Sequence, residues 1–210
     1  MTTKSLFQAI GTAVCWALLA SGTTATATAA DASGLDPEGY IRDWIMLAPI
    51  PLPEGRTPAD LILREQIANE AALKPAAGDK ITVRGRELVW TKVTASTNYF
   101  DFNATLKTLN DQAAGFLVTY VECDQEIPDV TMAVASNDQG RIYFNGIDIY
   151  AVTGARTLLL DADKGRVTLK KGLNVIVFKI INEQNAWQAA MRLLDKTGSP
   201  LTHVRIRSAP

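Results

Sequence analysis

Between Val130 and Asn182 the chain is a succession of short apolar runs cut by turn residues, and Asn145-Gly146 separates Arg141-Ile-Tyr-Phe144 from Ile147-Asp-Ile-Tyr150. Asn-Gly between such runs favours a two-residue hairpin, because both central positions of a type I′ turn need positive φ. More turn signals follow at near-regular spacing: Asp138-Gln-Gly140, Thr153-Gly154, Asp163-Lys-Gly165, Lys171-Gly172 and Thr197-Gly-Ser-Pro200. That rhythm predicts an antiparallel β-sandwich or barrel rather than alternating β and α units. Strands are expected over residues 40–47, 81–83, 88–93, 100–102, 116–123, 130–135, 141–144, 147–150, 156–160, 166–169, 173–181, 187–194 and 204–207.

One short helix is expected before the strand-rich part. Thr57 can cap it, Pro58 suits the first helical position, and Asp60 fits the third. Leu63, Ile67 and Ala71 recur every four residues, which carries the helix to about Ala72 before Pro75 stops it. The expected class is therefore mainly β, an antiparallel β-sandwich of the jelly-roll kind with one short N-terminal helix.

Two strands report their faces. Val204 and Ile206 alternate with His203, Arg205 and Arg207, so one side is buried and one wet. Over 173–181 both parities are apolar, with Ile176, Phe178 and Ile180 on one side and Val175 and Val177 on the other. Such a strand lies inside a sheet whose outer face something covers, and the 63–71 helix is one candidate.

Residues 1–30 read as a signal peptide. Lys4 supplies the positive n-region, residues 6–20 the apolar h-region, and Ala25-Thr-Ala-Thr-Ala-Ala30 small-residue cleavage sites. The apolar run is short for a membrane anchor, which needs roughly 20 residues. Residues 31–210 are then a single domain, secreted or periplasmic. Removing 1–30 takes away Lys4 and no acid, leaving 20 basic against 22 acidic residues. That balance is no nucleic-acid footprint, since such domains usually show a basic face, and no polybasic run suits anionic lipid. Cys123 is the one cysteine left, so no internal disulfide forms. Burial as a small hydrophobe and an intermolecular disulfide are its two open fates.

The segment from Met132 to Asn182 resembles the galactose-binding-domain-like jelly rolls, especially the sugar-binding domain of family 2 glycoside hydrolases. The patterns that carry the resemblance stand at Arg141-Ile-Tyr-Phe-Asn-Gly146 and Lys170-Lys-Gly-Leu-Asn-Val-Ile-Val177. The whole mature chain is also similar to exported β-sandwich modules of planctomycete-type bacteria, at residues 41–49, 77–80, 88–90 and 186–189. The resemblance implies a jelly roll that hosts carbohydrate binding, scaffolding or spacing, so it guides fold more than activity.

Catalytic patterns are sparse. His203 is the only histidine and falls on a wet face, far from what a triad base needs. There is no Gly-x-Ser-x-Gly elbow, phosphate-cradling loop or dinucleotide fingerprint. Asp124 with Glu126, and Asp161 with Asp163, have the residue types for glycoside hydrolysis but sit in turns as solvated acids. The expectation is a non-catalytic module without a cofactor. Ser136-Asn-Asp-Gln-Gly140 offers clustered oxygens that suit calcium, sugar hydroxyls, or simply a turn. Tyr143 projects opposite to Ile142 and Phe144, so with Arg141 and Tyr150 it is expected on an outward polar-aromatic face. Trp187 shares its parity with Ala189, Met191 and Leu193 and reads as core, its indole N–H needing a buried acceptor. Asn103-Ala-Thr105 matches a glycosylation acceptor by pattern only. The candidate carbohydrate-binding residues are Asn137, Asp138, Gln139, Arg141 and Tyr143. The expected partner is a glycan or polysaccharide, with a protein partner as the alternative, and neither nucleic acid nor membrane after cleavage.

Overall fold

In a computed structural model of the chain, residues 32–53, 55 and 57–210 are described. The expected signal peptide, with Cys15, lies outside them. Fourteen strands follow in order: β1 Ala32–Ser33, β2 Asp43–Pro51, β3 Lys80–Val83, β4 Arg86–Val89, β5 Thr91–Thr94, β6 Phe100–Asp101, β7 Ala113–Cys123, β8 Ile127–Ser136, β9 Gln139–Phe144, β10 Ile147–Val152, β11 Asp163–Leu169, β12 Gly172–Asn182, β13 Gln188–Leu194 and β14 Val204–Arg207. A single α-helix among the described residues, α1 Phe102–Leu106, follows β6.

Twelve of these strands form two layers, and β3 and β4 pair as a separate hairpin. Sheet A runs β1-β14-β7-β12-β9-β10, and β2 lies along the rest of β7 with β5 beyond it. Sheet B runs β11-β8-β13-β6. Every pairing is antiparallel. From β7 onward the chain repeatedly crosses between the layers, so sequence neighbours end up facing one another and the expected β-sandwich is present. The Asn-Gly hairpin forms as read: Phe144 pairs with Ile147, and both turn residues have positive φ, 50° at Asn145 and 82° at Gly146.

Between the sheets lies a core of Leu117, Val121, Ile142, Phe144, Ile176, Phe178 and Ile180 from sheet A against Val130, Met132, Val134, Ala189, Met191 and Leu193 from sheet B. A second core sits on the outer face of sheet A, where Ile45, Leu47, Phe116, Val118, Val175, Val177 and Ile181 meet Leu61, Ile62, Ile67, Val83 and Trp90. Both faces of β12 are thus covered, as its sequence requires. Cys123 is buried and free, and burial pushes its thiol pKa up.

The cover is not the expected helix. Residues 57–75 cross sheet A as a strap with two 3-10 turns, Leu61–Leu63 and Glu70–Ala72, and Asn69 has a φ of 57°. Leu63, placed inward by helical spacing, is 49% exposed, while Leu61 and Ile62 are buried instead. The backbone bends because Glu70 folds back: its Oε1 accepts the Gln66 N–H at 2.6 Å, and its Oε2 reaches into sheet A. A straight helix over 57–72 would not make that return.

Three further departures concern strands, the first being Phe102, expected to end the 100–102 strand, which begins α1 instead. Trp90 divides the expected 88–93 strand, since its N–H donates to Asp79 O at 2.9 Å and its buried ring meets Phe116 edge-on. Residues 156–160 form no strand. Arg156 is spent on side-chain bonds instead, donating to Ser136 O, Tyr150 Oη and Asp163 Oδ2. No helix among the described residues is long and apolar enough to cross a membrane.

Candidate functional site

Register brings five connections to one end of the sandwich. Asn182 pairs with Ala113, Ala189 with Ser136, Ile181 with Gln139, Val152 with Gly140, and Gln188 with Asp101. The connections after β2, β6, β8, β10 and β12 therefore leave from the same rim. At its centre is the β12–β13 loop, residues 183–187.

The Asn137–Gln139 turn lies directly beneath this loop. The Asp138 carboxylate accepts the N–H groups of Glu183 at 2.7 Å and Gln184 at 3.5 Å. Burial holds the Asp138 pKa above its ordinary value, and those N–H groups work against that rise. Gln139 Nε2 donates to Glu183 Oε1 at 2.8 Å and to Pro58 O at 2.9 Å, while its Oε1 accepts the Ile62 N–H. Asn137, Asp138 and Gln139 are all buried. They hold up the rim and do not face solvent. Asp138 Oδ2 and Gln139 Oε1 already accept backbone N–H groups, whereas Asn137 Oδ1 is buried without a partner.

From the other side α1 fixes the same loop. Asp101 caps the helix through Oδ1 to the Ala104 N–H at 2.9 Å, and its Oδ2 accepts from Gln188 Nε2. Asn103 Nδ2 donates to Asn185 O at 2.7 Å, and the Asn185 N–H donates to Asp111 Oδ1 at 2.8 Å. Beneath them Phe102 stacks on Trp187, ring centroids 4.2 Å apart. That stacking sets the indole plane, and Trp187 Nε1 is buried without the acceptor its sequence context called for.

Two shallow clefts flank the pinned loop. One, of about 550 Å³, is lined by Asp101, Asn103, Ala104, Thr108, Leu109, Asn185 and Ala186. Leu109 is 77% exposed at its edge. The other, of about 390 Å³, lies between Thr57-Pro58-Ala59, Gly154-Ala155 and Glu183. Amide, hydroxyl and carboxylate groups beside small apolar patches can orient a polar, uncharged ligand by hydrogen bonds. No protein-family model and no curated protein matches this chain.

Arg141 and Tyr143, the remaining sequence candidates, are elsewhere. Tyr143 does project opposite to Ile142 and Phe144, but that side lies under the strap and leaves it only 5% exposed. Its hydroxyl donates to Glu70 Oε2 at 3.0 Å. Arg141 donates to Leu63 O and to Asp148 Oδ2, with its guanidinium 5.0 Å from the Tyr143 ring centroid. The outward polar-aromatic face expected of this pair is corrected accordingly: the strap occupies it. Tyr150 is turned toward Asp163 and Arg156.

Beside Tyr143 the structure holds a group the sequence reading passed over. Lys179 Nζ lies 2.6 Å from Glu70 Oε2, both side chains at 0% exposure, and also donates to Arg64 O at 3.0 Å. A signal for it was present, since Lys179 is the one charged residue in a strand apolar on both faces. Such a lysine demands a buried counter-charge.

Proposed function

We propose that the chain is an exported, non-catalytic β-sandwich module that binds carbohydrate weakly at the β12–β13 rim. The observation that carries this reading is the cleft beside α1, where Asp101, Asn103, Thr108 and Asn185 stand next to apolar Leu109 and Ala186. Sugars present that pairing of hydroxyls and apolar C–H faces. The resemblance at residues 141–146 and 170–177 to galactose-binding-like jelly rolls supports the same ligand class. Asn137, Asp138 and Gln139 enter as the floor that positions the loop. The n-region, h-region and small-residue stretch of residues 1–30 support export.

Affinity electrophoresis of the mature chain through plant, algal and bacterial polysaccharides tests it. Asn185→Gly removes the side chain while suiting the backbone φ of 65°. Retardation by at least one polysaccharide is expected, weakened about tenfold in Asn185→Gly and in Leu109→Ser, a loss of about 1.4 kcal/mol. Equal mobility in every gel removes the carbohydrate reading.

A second reading has its own observation. Ile147, 66% exposed, and Ile149 lie on β10, whose outer edge is unpaired among the described residues, and Leu159 is exposed in the following loop. Apolar residues on a free edge suit a protein partner. Light scattering that shows a concentration-dependent dimer, abolished by Ile147→Lys, supports self-association through that edge.

A further inference from the structure

The outer face of sheet A treats residues 57–75 as a ligand. Gln139, Arg141 and Tyr143 of β9, Lys179 of β12 and Tyr120 of β7 all project from this face. They donate to Pro58 O, Leu63 O, Glu70 Oε2, Arg64 O and Pro75 O. The Glu70 carboxylate takes a second bond, from Lys179, at 2.6 Å. Leu61, Ile62 and Ile67 fill the apolar ground between these donors. No residue of 57–75 belongs to a strand, so lifting the segment breaks no ladder. The face is therefore donor-rich and apolar, complementary to a bent, irregular peptide that buries one acidic side chain among apolar residues.

We propose that this face is a peptide-docking site held shut by the chain's own strap, latched by Glu70 between Lys179 and Tyr143, and that a partner segment of the same chemistry displaces the strap while the sandwich stays folded. The strap shows what the site recognises: carbonyls read by Gln139, Arg141 and Lys179, apolar side chains at Leu61 and Ile62, and a carboxylate at Glu70. The segment is also tied outside the latch, by Thr57 Oγ1 to Gln112 Oε1, Gln139 Nε2 to Pro58 O and Arg84 Nη2 to Gln66 Oε1. Gly154 N–H donates to Ala59 O at one end, and Tyr120 Oη to Pro75 O at the other. Opening thus breaks the latch and these side-chain and loop bonds, but no strand ladder.

Native-state hydrogen exchange of the wild-type chain across sub-denaturing urea makes the first test. Amides of 61–73 are expected to exchange through an opening with a shallow urea dependence, well below that of β7 and β12. Exchange of the strap only in step with β7 and β12 overturns the proposal. The second test uses a labelled synthetic peptide with the sequence of residues 57–75. Glu70→Ala frees the face in cis, so the peptide is expected to bind that variant at least about tenfold more tightly than wild type, because the competent fraction rises. Adding Lys179→Met, or replacing the peptide's glutamate at position 70 with alanine, is expected to abolish the gain. A folded Glu70→Ala chain that ignores the peptide sinks the docking site. If that variant does not fold, the wild-type exchange pattern decides alone.

Discussion

Lys179 and Glu70 form a buried pair whose two halves are not equivalent. Burial lowers the Lys179 pKa, and the Glu70 carboxylate pulls it back up. Removing the lysine strands a carboxylate that keeps only Tyr143 Oη and the Gln66 N–H. Lys179→Met should therefore cost about 3–5 kcal/mol, whereas the double variant with Glu70→Met should recover part of that loss. Urea unfolding of both measures the difference, and a double variant less stable than the single contradicts the account. Asp138 gives a pH prediction. Its folded pKa stands above the ordinary 3.8, mainly through burial. The folded state then holds its proton longer than the unfolded chain, so this residue's contribution falls as pH rises through that window. Between about pH 4 and pH 7, Asp138→Asn should gain stability relative to wild type, with the new amide oxygen still able to accept the Glu183 N–H. Equal differences in urea midpoint at both ends of that range would count against it. Tyr143 shows how far single residues could be read. Alternation of β9 correctly put its side chain opposite Ile142 and Phe144, but whether that side meets water depends on residues far away in sequence. The two-faced apolar pattern of β12 already required a cover, and β9 lies beside β12 under the same one.

At the level of elements, strands were readable where local chemistry and tertiary need agreed. Asn145 is the clearest case. It adopts the positive φ its hairpin needs, accepts the Val175 N–H through Oδ1 at 2.8 Å, and donates through Nδ2 to Asn174 Oδ1. One side chain thus closes the β9–β10 turn and fastens it to β12. Asn145→Ala should cost about 1–3 kcal/mol, because the Val175 N–H loses its acceptor and alanine resists the left-handed backbone. Thermal melting checks this, and Asn145→Asp, which keeps an acceptor, should cost less. The strap was misread for the opposite reason. Leu63, Ile67 and Ala71 do carry a helical period, but propensity is a weak prior against a buried carboxylate that must return to Gln66 and reach Lys179. The rim was only half readable. Asn137, Asp138 and Gln139 have the right composition for a binding loop and lie at the right end. The Asp138 and Gln139 side chains face inward because the five-loop rim is held by their hydrogen bonds, while Asn137 is buried with its Oδ1 unpartnered. Nothing in the sequence paired α1 with residues 183–187, since those contacts span some eighty positions in the chain.

The whole molecule is a three-layer stack in which sheet A carries a core on each side, one shared with sheet B and one with the strap and the β3–β4 hairpin. β7 and β12 run through the middle of it, so a disturbance in β7 reaches both the rim and the interior. Gly115 is where this coupling is tightest. A Cβ there would lie 2.6 Å from a Phe102 ring carbon and 2.6 Å from a Trp187 ring carbon, both deep in the packed core. Phe102 is the first residue of α1, and Trp187 ends the loop that lines the larger cleft. Gly115→Ala must therefore push apart the stacked pair that seats α1 against the β12–β13 loop. Overpacking of this kind costs about 1–3 kcal/mol. The consequence should not stop at stability, because Asn103 and Asn185 move with the rings that carry them, and their 2.7 Å bond sets the cleft's width. The expected outcome is a chain that still folds, with a lower melting temperature and a perturbed α1 rim in amide NMR spectra, while shifts along β9, β10 and the Asn145-Gly146 hairpin stay put. Perturbation spread evenly over both ends of the sandwich would show instead that the rim is not mechanically distinct, and that the cleft beside α1 is set by the sheets as a whole.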